Sequence, residues 1–140
     1  MLLDYLHDYL TKSVMDSIFE KDEEDEVHVV IEKIASYGMS VGQSVFDTCE
    51  WVGRFVQETY KMTGEEPTMI FRREEKMNLC GTMKAKDGNI AQALIDRFAP
   101  NTRNKGKGTK ANKGWFYGFK SDIWAAYAIA VTYHDLYLKE

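Results

Sequence analysis

Only two cysteines occur in the chain, Cys49 and Cys80, 31 residues apart and in no CxxC or Cys/His spacing. That excludes a disulfide-stapled secreted scaffold and a zinc ribbon, and it reads as two buried free thiols in a reducing compartment. No apolar run approaches the roughly 18 residues that span a membrane, and no secretory signal pattern opens the chain. The expectation is therefore a cytoplasmic protein without a membrane partner. Neither His7 nor His28 has a metal-ligand partner at helical or strand spacing, and His134 with Asp135 falls too far along the last helix to join Asp122. Gly106-Lys107-Gly108-Thr109 lacks the full GxxxxGK[ST] pattern, with no strand leading in and no helix leading out, so a phosphate-binding loop is not read there. No internal repeat is present. What remains is one domain of 140 residues, 44% hydrophobic and 29% charged, large enough to bury a core.

Acid is missing where it would matter most. The segment from Arg103 to Lys120 carries Arg103, Lys105, Lys107, Lys110, Lys113 and Lys120 and no Asp or Glu. The formal net charge of -4 hides this split. Residues 1–75 hold 7 Lys/Arg against 17 Asp/Glu, a net of -10, whereas residues 76–140 hold 11 against 5, a net of +6. A basic patch on an acidic protein points one face at a polyanion, and Lys76, Lys84 and Lys86 extend that surface. Six to eight phosphate contacts of this kind imply salt-sensitive, largely sequence-independent nucleic-acid binding. The plain alternative is a merely solvated segment.

Periodicity organises the rest. Leu3, Leu6, Leu10, Val14 and Ile18 mark an amphipathic helix, followed by an acidic loop from Asp22 to Glu26. Val27 to Ile34 reads as a buried strand, with Val30, Glu32 and Ile34 on one face. Gly38 and Gly42 bracket a loop. A helix from Gln43 to Tyr60 follows, its inner face carrying Val45, Cys49, Val52 and Val56. Thr68 to Phe71 reads as a short strand and Glu74 to Asn78 as a helical turn. Asp87 is placed as N-cap of a helix from Gly88 to Phe98, with Ile90, Ala93, Leu94 and Phe98 inward and Pro100 as its stop. Asn101 to Gly114 reads as a mobile loop, and Ser121 as N-cap of a last helix reaching about Leu138. Trp115, Phe116, Tyr117 and Phe119 read as core and hinge packing in preference to base-stacking platforms. Alternating helices and strands predict an α/β layered sheet.

Two carboxylates stand apart. Glu32 ends the apolar strand, and Asp122 opens the apolar last helix just after the basic segment. Two-metal phosphodiester hydrolysis gathers three or four such acids around Mg²⁺ ions about 4 Å apart, and Mg²⁺ prefers oxygen ligands. Each acid also has an ordinary reading. Glu32 would be a surface glutamate where the strand emerges, and Asp122 a first-turn acid complementing the helix dipole.

Three blocks, VVIEKIASYGMSVGQSVFDTCEWVGRF, REEKMNLCGTMKAKDGNIAQALIDRF and KGTKANKGWFYGFKSDIWAAYAIAVTYHD, in this order resemble the phage-encoded branch of RuvC-type Holliday junction resolvases. The resemblance covers almost the whole chain. It implies an RNase H-like fold, a mixed sheet flanked by helices. It also implies a homodimer in the host cytoplasm that cuts four-way DNA junctions with Mg²⁺ or Mn²⁺, leaving a 5′-phosphate and a 3′-hydroxyl. By position, Glu32 matches the second catalytic and metal-ligating acid and Asp122 the third. Lys76 and Lys86 fall near positions used against the DNA backbone, and the Gly38–Gly42 loop with the following helix falls where the family dimerises.

The departures are specific. The family's opening strand with its DPG motif has no counterpart, since Asp4 sits in an amphipathic helix, and the fourth acid falls at Ala125. Two acids of four remain. The resemblance thus implies an N-terminally shortened resolvase, whose Glu32 strand would expose an apolar edge. It leaves open a catalytically incomplete junction-binding protein, and, if the basic segment is mere surface, an interaction protein with no nucleic-acid role.

Overall fold

A computed structural model describes residues 26–139. The expected N-terminal amphipathic helix and most of the acidic loop lie outside the described residues. Within them the chain is α/β. Strand β1 (Val30–Lys33) leads through helix α1 (Gln43–Thr63) to strand β2 (Thr68–Phe71), and helices α2 (Arg72–Cys80), α3 (Asp87–Phe98) and α4 (Ser121–Tyr133) follow. A π-helical turn, His134–Leu138, extends α4. The two strands pair in parallel, with Glu32 opposite Ile70, so their connection must cross over, and α1 supplies it. Among the described residues no helix is long and apolar enough to cross a membrane.

Local chemistry sets the boundaries. Helix α1 ends where Gly64 takes a left-handed conformation (φ 78°) and returns its N–H to the Tyr60 carbonyl, a stop that a residue with a Cβ reaches only at a cost. The turn expected at Glu74 to Asn78 is a full helix. Its start is secured by Glu74, whose carboxylate accepts the Phe71 N–H at 2.8 Å. Helix α3 begins one residue earlier than expected. Asp87 is its first helical residue and not its N-cap, and Asn89 reaches back to accept the Lys86 N–H at 2.9 Å. Ser121 is likewise the first residue of α4, with Lys120 at the N-cap.

The core lies between α3, α4 and the segment joining them. Ile90, Leu94 and Ile95 meet Ala128 and Val131 there, with Ala99 and Phe116 also buried. Helix α1 buries none of its residues. Val45, Val52 and Val56 are half-buried as expected of an inner face, but Cys49 is exposed and Cys80 half-buried. Both thiols are free, and neither is buried as the sequence suggested.

The segment read as a mobile loop is a set of tight turns closed over one phenylalanine. Phe116 is fully buried, and its N–H donates to the Gly106 carbonyl at 2.9 Å. A Cβ on Gly106 would meet Phe116 Cδ2 at 2.7 Å and Ala99 Cβ at 2.9 Å, and the backbone there has φ +76°. Glycine is required at that contact, so the glycines that look like flexibility in one dimension are close approaches in three. At the far end of α4, Asp135 takes both guanidinium nitrogens of Arg97 at 2.6 and 2.8 Å and the Asn78 amide at 2.9 Å. The hydrogen bonds from Arg97, with Asn78 assisting, hold the Asp135 carboxyl well below the usual carboxylate range. This pins α4 to α3 and α2, away from Asp122.

Candidate active site

Both parallel strands end at one cleft. Glu32 lies one residue from the end of β1, and Arg72 follows β2 directly. Helix α3 brings Asp87 and Gly88 from its first turn, and α4 brings Ser121, Asp122, Trp124 and Ala125. With Glu75 from α2 they line a space of about 500 Å³. The cleft therefore sits beyond the carboxyl ends of parallel strands, where α/β folds place their ligands. The first turns of three helices open on it, and their aligned peptide dipoles favour an anion there. Neither Lys86 nor Lys120, the N-cap residues of α3 and α4, makes a capping hydrogen bond through its own side chain.

The two acids singled out in the sequence, 90 residues apart, share this cleft. Glu32 is half-buried and Asp122 exposed. Ala125, the position of the fourth acid in the resembling family, lines the same wall. Two further acids were missed. Glu75 is fully buried beneath the cleft and Asp87 stands at its rim. Arg72 ties them together, donating to Glu75 Oε1 at 2.9 Å and to the Asp87 carboxylate. In the sequence Glu75 falls within the helical turn expected from Glu74 to Asn78, where nothing sets it apart. The only available signal is the Arg72–Glu75 spacing of three, which puts both on one face of a helix.

Glu75 is the unusual group. Its Oε2 is buried and has no hydrogen-bond partner, an arrangement that costs free energy unless the carboxyl holds a proton or gains a ligand. Burial, opposed by Arg72 and reinforced by Glu32 and Asp87, raises its pKa from 4.5 to about 7. Because the folded state holds this proton to higher pH than the unfolded chain, its contribution to stability is complete below about 4.5 and is lost as pH rises through about 7. The loss is on the order of 3 kcal/mol by pH 8, at about 1.4 kcal/mol per pKa unit. Urea denaturation at pH 5 and pH 8 checks this. Glu75→Gln should flatten the slope, and an unchanged slope would show that Glu75 is not its source. Asp135 acts in the opposite sense and only at lower pH, so the windows do not overlap.

The donor set suits a hard divalent cation in its chemistry. All the candidates are carboxylates, and one buried carboxylate oxygen lacks a partner. As the side chains stand, no group of three His, Cys, Asp or Glu among the described residues closes around one point, and Arg72 occupies the space between Glu75 and Asp87. His28 is engaged elsewhere, its Nδ1 3.0 Å from the Tyr133 hydroxyl.

Of the expected DNA-binding residues, Lys86 and Lys120 are the residues before α3 and α4 and so flank the cleft. Lys76 adjoins Glu75 on α2 and is half-buried. Lys84, Arg103, Lys105, Lys110 and Lys113 are exposed and Lys107 half-buried. None of the nine forms an ion pair among the described residues.

No family model, curated protein or solved structure matches the chain at significance.

Proposed function

We propose that this chain is a metal-dependent, structure-selective endonuclease acting on branched DNA, four-way junctions above all, and built on an RNase H-like plan. The observation that carries the reading is the meeting of Glu32 and Asp122 in one cleft at the strand ends, on a protein with a second, acid-free basic surface. Glu32 and Asp122 would hold Mg²⁺ or Mn²⁺, with Glu75 Oε2 as a further oxygen within the same wall. Such an ion supplies Lewis-acid activation of water and offsets charge developing on the phosphate. The chain's own contribution is placement. Lys86, Lys120 and the open helix N-termini draw a backbone phosphate into the cleft, while the Arg103–Lys113 turns and Lys84 hold flanking phosphates. A homodimer would present two such clefts to opposing strands, and that pairing belongs to the same proposal.

A second reading is a junction-binding protein without catalysis. Arg72 lying between Glu75 and Asp87, and Ala125 in the wall, favour it. Cleavage of a labelled four-way junction with Mg²⁺ or Mn²⁺, beside gel-shift binding in EDTA, separates the two. Paired nicks across the junction support the nuclease, binding alone supports the second reading, and neither would sink both.

Binding in either case should be strongly salt-dependent. With about six phosphates neutralised, affinity should fall about a thousandfold between about 50 and 200 mM salt. A flat titration would mean that the lysines contact no phosphate.

A further inference from the structure

Three consecutive aromatic residues leave the basic turns in opposite directions. Phe116 is fully buried, whereas Trp115 is 61% exposed and Tyr117 41% exposed. Trp115 is nevertheless fixed at two points. Its ring stacks on Phe98 with the planes 6° apart and the centroids 5.8 Å apart. Its indole N–H donates to the Tyr127 hydroxyl at 3.0 Å. Phe98 is itself held edge-on against Tyr127, at 5.6 Å and 76°. One face of the indole is thus covered and its polar edge satisfied, leaving the other face flat, immobilised and open.

The surroundings select the occupant. Lys113 lies over the Tyr117 ring, with Nζ 5.0 Å from its centroid. Both aromatics fall within the stretch from Arg103 to Lys120, which holds six basic residues and no acid. An apolar peptide would gain nothing from that charge. A nucleobase would, because its ring stacks on a fixed aromatic face while the phosphates on either side meet lysines.

We propose that the open face of Trp115 receives an unpaired DNA base at a branch point, with Tyr117 beside it and Lys113 and its neighbours on the flanking phosphates. This rests on the reading of the chain as a branched-DNA protein, and it adds the group that tells a branch from a continuous duplex. An intact duplex keeps its bases stacked and offers none to the indole.

The test uses the full chain with a four-way junction carrying 5-iododeoxyuridine at each branch-point position, irradiated in EDTA, with the cross-linked peptide mapped. The expected cross-link is at Trp115. Trp115→Leu keeps an apolar cover on Phe98 but removes the stacking face. It should weaken junction binding on the order of tenfold while leaving duplex binding within about twofold. Trp115→Phe should recover most of the loss, and thermal melts of both variants should stay near wild type. Should Trp115→Leu melt early, Trp115→Phe and the cross-link decide the matter. A junction bound and cut normally by Trp115→Leu, with cross-links elsewhere, overturns the stacking site and leaves the nuclease reading intact. Wild-type protein that binds no junction at all overturns both.

Discussion

Asp122→Asn should lower junction cleavage by more than about a hundredfold while leaving gel-shift affinity in EDTA within about twofold. Loss of a group that only supports a metal ligand already costs tenfold to a hundredfold, so loss of a ligand itself should exceed that range. Asp122 is exposed in the first turn of α4 and makes no ion pair among the described residues. Its amide analogue therefore keeps the shape of the helix start and removes one negative charge from the cleft. Glu32→Gln should behave in the same way from the opposite wall. For either variant, binding that tightens as cleavage disappears would fit relief of repulsion between carboxylate and phosphate. Cleavage that survives both substitutions would remove this cleft from the chemistry, whatever the affinity for DNA. A junction binder without catalysis predicts a third pattern, in which neither variant changes anything measurable except affinity.

Phe116→Ala should destabilise the protein by about 3–5 kcal/mol, the range for deleting a buried phenylalanine. Few side chains here are placed so centrally. Phe116 is fully buried and sits 5.0 Å from Phe119, 4.6 Å from Trp124 and 5.7 Å from Tyr127, ring centroid to ring centroid. Its ring fills the space beside Gly106 that a methyl group would otherwise contest. Removing it opens a cavity in the core and also withdraws the plug around which the lysine-bearing turns close. The expected melting temperature falls by on the order of 10 °C. The salt dependence of DNA binding should flatten in the same variant, because lysines on a loosened segment no longer meet phosphates together. A stability loss without any change in salt dependence would show that the turns hold their form without Phe116.

Much of the framework was legible in one dimension. The β-branched run around Val29 to Ile31, the 3.6-residue spacing of Ile90 and Leu94, and the stop before Pro100 are patterns carried by neighbouring residues. The helix forms nearly where expected, but the strand read as buried from Val27 to Ile34 is only Val30–Lys33 and is half-buried at best, because β2 pairs with it over those four residues alone. Helix starts also differ. Asp87 and Ser121 have good capping side chains, yet the structure uses Asp87 to bind Arg72 and leaves Lys120 at the α4 N-cap. At α3 the start is secured instead by Asn89, whose side chain accepts the Lys86 N–H. The basic segment was misjudged for a related reason. Gly106, Gly108 and Gly114 are the composition of a flexible loop, and only the contacts of Phe116 and the bridge between Gly108 and Lys113 show that they are there for close approach.

By itself the sequence determined which acids and which lysines were worth watching. Glu32 and Asp122 each interrupt an apolar pattern, and a run of lysines without acid is visible in any linear reading. Tertiary structure alone decided that the two acids share a cleft, that Glu75 lies buried beneath them with an unpaired oxygen, and that Trp115 faces outward while Phe116 faces in. The physical reason is the range of the forces concerned. Periodicity and turn chemistry act between residues a few positions apart, so they are written along the chain. Desolvation of a carboxyl and the facing of a ring depend on what distant segments bring to the same point, and no spacing within RREEK or GWFYG records that.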